Sequence, residues 1–431
     1  MDKEFELKIN KGLDPYSCSI EELKTAIAKA TDISDDMNNN QLCTKIFINS
    51  IYGATANRFY SLSNTDIAES ITLQGQDLIK YSVRVIDDYF MNRWHLDYDT
   101  HRKIADEISK EIPDFNAVQF LTLCRNKIAI NGTTLQVAGD TDSAYFSFEP
   151  LVKSLGISLD YEARFITVLY KVFIKDYLTH AFEEYAKKYN CDQNLEEFEL
   201  EKIFRSGIFT AKKHYAGDIS WKEGGPDGIY LNPLHKVVIK GLEAIQGSYP
   251  KFCRDAMKEF LNMMLTYTNK RSLPEYKDIV AWLVKKKMEF SMQSPENICK
   301  TFNLNDYEKY IYEDKTSLTL IEGASCPAHV RGAGVYNNLL YTKAKKWKGK
   351  YNFIKKGDKV KFYYAKDKYK SKNDPDPVFS YLPNNFPAEF APPIDIDKMF
   401  EKLILDPLNR VIEACGYNAV PSTLTYSNAL F

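Results

Sequence analysis

Residues 136–148 read QVAGDTDSAYFSF and set two aspartates, one residue apart, at the tip of what looks like a hairpin. The flanks LQV and SAYFSF are rich in β-formers, and Gly139 stands just before the acids. In extended chain, side chains two apart share a face, so Asp140 and Asp142 would aim at one point. Carboxylates held that close repel each other unless a cation or a proton lies between them. An Asx-type turn, in which an aspartate merely closes the loop, produces the same pattern. Taken alone the stretch favours the turn, and the rest of the chain has to decide.

Working outward, the 431 residues allow two to three domains, and 44% hydrophobic with 27% charged residues is an ordinary globular composition. No apolar run reaches the length of a membrane span. The opening MDKEFELKIN is charged throughout, unlike a secretory signal. Eight cysteines without a CxxC pair point to reduced thiols and a cytoplasmic location, and six dispersed histidines offer no zinc site. A net charge of −1 predicts no polyanionic partner, but the distribution does. Between Lys343 and Lys372, thirteen lysines face two aspartates, with Trp347, Tyr351, Phe353, Phe362, Tyr363, Tyr364 and Tyr369 interleaved. A solvated face explains such a run about as well as a nearby polyanion does.

Along the chain, residues 20–30 read as a helix, followed by a turn-rich TDISDDMNNN and a second helical stretch ending at Gly53. A further helix covers 65–92, and THRKIADEISKEI suggests a surface helix within an insertion at 93–120. Asn131-Gly132 is a two-residue hairpin signal leading into the acidic turn. An amphipathic helix follows at about 158–190, then strands in EFELEKIF and GIFTAKKHYAGDI; from about 236 the chain reads mainly helical.

Three further clusters carry candidate chemistry. In KIFINSIYG, Lys45, Asn49 and Tyr52 fall at i, i+4 and i+7 on one helical face, where cation, amide and phenol could meet phosphate oxygens. An amphipathic helix that half-buries Ile46, Phe47, Ile48 and Ile51 is the plainer explanation. Lys212 and Lys213 in FTAKKHY fall in an extended segment and would point to opposite faces, Tyr215 sharing a face with Lys213. Glu199 and Glu201 alternate with apolar residues, as on the solvent face of a strand.

In this order, KxxxNSxYG, GDTDS, ExE and KKxY resemble the family B DNA polymerases, in particular the T-even-type phage replicative enzymes. KVVIKGLEAIQGSYP, CPAHVRGAGVYN and GDKVKFYY are similar to segments of that family's thumb, so the resemblance runs from about residue 40 to the end. It implies an α+β architecture: part of a helical fingers domain at 1–60, a palm of antiparallel sheet and helices with motif C at 61–235, and a mainly helical thumb at 236–431. Asp142 would be the motif C carboxylate that ligates two Mg²⁺ ions, with Asp140 next to it, assisting in the metal site or near the primer end. Glu201 would be a third carboxylate, although ExE also offers Glu199. Lys45 and Asn49 would hold the triphosphate of the incoming dNTP, with Tyr52 and Gly53 beneath the nascent base pair. Lys212, Lys213 and Tyr215 would meet primer-template DNA, and Lys345, Lys346 and Lys348 the duplex phosphates. Leu430 and Phe431 would dock on a sliding clamp, unless the tail is a frayed end without function.

The chain departs from that pattern in places. Ala138 stands where the family usually has Tyr, His214 replaces an arginine in the KKRY element, and Gln246 replaces another in GxExxR. Motif A, DxxSLYPS, and the acidic motifs of a 3′–5′ exonuclease do not occur in these residues. The resemblance therefore implies the C-terminal subunit of a split DNA-directed DNA polymerase, active with an N-terminal chain that supplies motif A and the exonuclease. A fragment, or a polymerase remnant that binds primer-template without catalysis, is the alternative.

Overall fold

The computed structural model describes residues 17–130, 132–140, 143–224, 228–305, 307–313, 318–320, 326–342, 345–347, 349–366 and 377–425, without the side chains of 311–313, 318–320 and 345. Asp142, Lys348, Leu430 and Phe431 lie outside the described residues, and of Lys345 the backbone alone is described. The chain divides into two compact units, Met1–Tyr81 and Ser82–Phe431.

In the smaller unit the expected turn at TDISDDMNNN is absent. A single helix, α1, spans Ile20–Ala56. TDISDDMNNN contains neither Gly nor Pro, and each Asp or Asn costs at most about 0.7 kcal/mol of helix propensity. Thr31 and Thr44 also spend their hydroxyls on the Ile27 and Asn40 carbonyls, at 2.8 and 2.9 Å, rather than on a competing turn. Ser19 caps the start, with Glu22 completing a capping box. No residue of α1 is buried, so the expected half-burial of Ile46, Phe47, Ile48 and Ile51 fails; Phe47 is 67% exposed. After a short loop, α2 covers Thr65–Asp88 and carries the chain into the larger unit.

The larger unit opens on an aromatic cluster. Tyr89 stacks on Phe173 at 4.1 Å between ring centroids, and Phe90 on Trp94 at 5.6 Å. Helix α3, Tyr98–Glu111, buries His101, Ile104, Ala105 and Ile108 and leaves its charged face in solvent; α4, Ala117–Leu123, packs beside it. Among the described residues no strand precedes Gln136, so residues 127–130 do not form the strand that the expected hairpin needs; Asn131 lies outside the described residues. The Asp87 carboxylate takes the Leu135 N–H at 2.8 Å and ties the chain to the end of α2 just before strand β1, Gln136–Asp140. β1 pairs antiparallel with β2, Ser143–Phe146, in the register Asp140 to Ser143. The amphipathic helix runs from Glu162 to Lys188 through a π-helical turn at Tyr170–Ile174.

A second sheet orders β3 (Lys202–Ala211), β4 (His214–Lys222) and β5 (Ile229–Tyr230), with β6 (Val237–Lys240) also on β4. Residues 195–201 are not part of it, so Glu199 and Glu201 precede the strand rather than line its face. Beyond β6, helices Lys251–Asn269 and Tyr276–Ser291 pack with a three-stranded antiparallel sheet of Lys300–Asn303, Lys359–Tyr364 and Val378–Tyr381. Helix Ala328–Thr342 lies so close on this sheet that a Cβ at Gly332 would sit 2.5 Å from Ser380 Oγ. GDKVKFYY thus supplies a central strand, and the aromatic residues among the lysines are largely core: Tyr351, Phe362 and Tyr363 are buried. None of the eight cysteines forms a disulfide; Cys43 and Cys191 are exposed, whereas burial pushes the Cys299 thiol up to about 12.

Candidate functional site

The acidic hairpin meets a second hairpin whose turn the sequence concealed. Lys212 and Lys213 are not extended but form the two-residue connection between β3 and β4, closed by Ala211 opposite His214. Lys213 takes φ +64, and His214 Nδ1 lies 2.8 Å from the Lys212 carbonyl. The turn aims Lys213 at β1, where its Nζ lies 3.1 Å from Asp140 Oδ1. The two side chains are 58% and 39% exposed, so the pair is worth at most about 1 kcal/mol. It marks where Asp140 accepts a cation.

Tyr145 of β2, which the sequence reading passed over, joins the hairpins from below. Its hydroxyl is 3.0 Å from that of Tyr215 on β4, and its ring packs against Phe204, Phe209 and Tyr215. Burial raises its pKa, helped by the Tyr215 hydrogen bond and by the charges of Glu201 and Asp140. Tyr145 therefore stays protonated at neutral pH, and both carboxylates lie within electrostatic reach of it. Glu201 pairs with Lys202 at 3.2 Å, and its carbonyl accepts the Glu223 N–H at 2.9 Å.

Two supports hold the Lys213 turn. Gly241, at φ +68, lets the chain after β6 pass so close that a Cβ there would sit 2.3 Å from the Lys213 carbonyl and 2.8 Å from His214 Cδ2. Gly241→Ala should cost about 1–3 kcal/mol from the left-handed backbone alone, with the clash added. A urea midpoint unchanged from the parent would show that the loop relaxes freely. Deeper in β4, Asp218 is fully buried. It accepts from Arg205 at 2.6 Å, Asn269 Nδ2 at 2.8 Å and the Leu234 N–H at 3.0 Å, and so locks the sheet to helix Lys251–Asn269.

In the smaller unit, Lys45, Asn49 and Tyr52 share one exposed face of α1. The Tyr52 hydroxyl bonds Thr72 Oγ1 of α2 at 2.8 Å, and a Cβ at Gly53 would touch nothing within 4 Å. In the lysine tract, Lys346 is exposed over the Trp347 ring at 5.1 Å, and Lys212 is exposed on its turn. Other tract lysines are already matched: Lys350 with Glu389, and Lys361 with Glu296 at 2.7 Å.

No group of three or more His, Cys, Asp or Glu that could hold a metal occurs among the described residues. Asp140, 39% exposed, carries the Lys213 ammonium on one oxygen. The sequence profile of DNA polymerase family B matches residues 20–414. The DNA-directed DNA polymerase of Enterobacteria phage T4 is 25% identical over 422 residues, covering 94% of this chain and 40% of the relative. That of Escherichia phage RB69 is 25% identical over 315 residues, 70% of this chain and 29% of the relative. The DNA polymerase catalytic subunit of Saimiriine herpesvirus 2 is 26% identical over 242 residues, 56% of this chain and 18% of the relative. The chain thus spans well under half the length of the curated relatives it matches, and it belongs to DNA polymerase family B.

Proposed function

We propose that this chain forms the motif C part of a DNA-directed DNA polymerase that extends primer-template DNA with dNTPs. The observation that carries the reading is Asp140 at the end of β1 with Lys213 of the neighbouring hairpin on its carboxylate. Asp142 and Asp140 would hold two Mg²⁺ ions, with Glu201 as the further carboxylate on this chain. The chemistry those ions supply when bound is activation of the primer 3′-hydroxyl and neutralisation of the leaving pyrophosphate. Lys45 and Asn49 bind the triphosphate, and Tyr52 and Gly53 carry the nascent base pair. Lys213 exchanges its carboxylate partner for the primer end, supported by Lys212 and Tyr215. Lys345, Lys346 and Lys348 contact the duplex backbone. In this proposal residues 1–60, 61–235 and 236–431 act as fingers, palm and thumb.

Motif A would come from outside residues 1–431, on a partner polypeptide that also carries the exonuclease. The test is primer extension with Mg²⁺ and four dNTPs, by this chain alone and with a co-expressed motif A polypeptide. Extension by the pair alone supports the reading. Salt-sensitive binding to DNA without extension in either case would leave a non-catalytic DNA-binding protein. Because lysines dominate the proposed contacts, log affinity should fall linearly with log salt, with a slope of about −0.9 per phosphate neutralised. A flat salt dependence by fluorescence anisotropy would remove the tract from the interface.

A further inference from the structure

Away from motif C, Tyr98, His101, Arg102, Leu121 and Arg125 line a cleft of about 300 Å³ between α3 and the end of α4. That volume is at the lower end of the range for small-ligand clefts, roughly 300–1,000 Å³. His101 reaches it from within the fold, being 1% exposed. Burial lowers its pKa, so the ring is neutral and carries one N–H and one lone pair. Neither ring nitrogen makes a hydrogen bond of good geometry, although the Trp94 carbonyl lies near enough to favour the protonated ring. Asp97, the carboxylate whose charge acts on His101, is itself engaged: it accepts from the Thr100 N–H at 3.1 Å and the Tyr89 hydroxyl at 2.9 Å.

Both arginines keep donors for a ligand. Arg102 reaches Asp99 at a long 3.8 Å with both side chains largely in solvent, and the exposed Arg125 lies 5.6 Å from the Tyr98 ring centroid. Tyr98 is itself 48% exposed, which leaves ring surface for stacking. A bare phosphate would need the two guanidiniums but would leave Tyr98, Leu121 and the His101 ring unused. A nucleobase attached to that phosphate uses all five.

We propose that this cleft binds one nucleotide unit, its phosphate on Arg102 and Arg125 and its base against Tyr98 and Leu121 with a polar edge toward His101. The unit is part of a single strand or a free mononucleotide, and the proposal does not depend on motif C. The test is photocross-linking of the full chain with a 5-iododeoxyuridine-containing single-stranded 12-mer and, in a second arm, 5-iodo-dUMP, with adducts mapped by peptide mass spectrometry.

An adduct on Tyr98 is expected in the strand arm, falling at least tenfold in Arg102→Ala/Arg125→Ala and unchanged in Asp140→Asn. Arg125→Gln alone, at an exposed residue, should give a partial loss. An equal Tyr98 adduct from the monomer would assign the site to free nucleotide. No Tyr98 adduct in either arm, or full yield in the folded double variant, overturns the proposal. Failure of Asp140→Asn to affect primer extension would count against the motif C reading and leave this site untouched.

Discussion

Asp142→Asn lowers primer extension at least a thousandfold when the chain is assayed with the polypeptide that completes its site, while DNA affinity stays within about twofold. A thousandfold loss corresponds to about 4 kcal/mol of transition-state stabilisation. The amide keeps the size of the carboxylate but removes the charge that a divalent ion and a developing alkoxide both require. DNA affinity is expected to hold because the contacts proposed for the duplex are lysines distant in sequence from the acidic turn. Asp140→Asn should cost less, since Asp140 is one partner of an exposed pair with Lys213. If Asp142→Asn retained extension within tenfold of the parent, the metal would have to be placed elsewhere.

The second large effect is structural. Asp218→Ala should destabilise the larger unit by about 3–5 kcal/mol, the usual result of removing one member of a buried ion pair. Arg205 is 16% exposed and would lose its carboxylate. Asn269 and the Leu234 N–H would lose their acceptor in the same step. The charge left on Arg205 is the main cost, so the double change Arg205→Met/Asp218→Leu should recover much of the loss. Equilibrium urea denaturation reads both. A single-variant loss under about 1 kcal/mol would mean that water reaches Arg205 and solvates it.

What the sequence disclosed depended on whether a local signal existed. GDTDS with its β-rich flanks reads as a hairpin, and Asp140 opposite Ser143 is one. GDKVKFYY reads as a strand and is one at Lys359–Tyr364. Lys212-Lys213 has neither Asn-Gly nor any glycine, so nothing local announced a turn; Gly241, just after β6, leaves the room that the turn occupies. Asn131-Gly132 carried the stronger turn signal, yet residues 127–130 before it form no strand, and Leu135 after it gives its N–H to Asp87 rather than to a strand partner. The aromatic residues at 351–363 alternate with lysines in a way that suits nucleic acid equally well, and burial of Tyr351 and Tyr363 is a tertiary outcome. Tyr145 was missed for the same reason, since its partner Tyr215 stands 70 residues away.

The uneven exposure of the cysteines has a practical consequence. Cys43 and Cys191 are in solvent, while Cys124, Cys253 and Cys299 are buried, with thiols held above the ordinary range. Maleimide dyes attack the thiolate, so at neutral pH they should pass over those buried positions. Cys43 stands two residues before Lys45 on the same helix. The native chain thus offers an attachment point for a fluorescent reporter on the helix that carries the residues assigned to the triphosphate, though on another face of it, with Cys191 as a second position remote in sequence, before any cysteine is engineered.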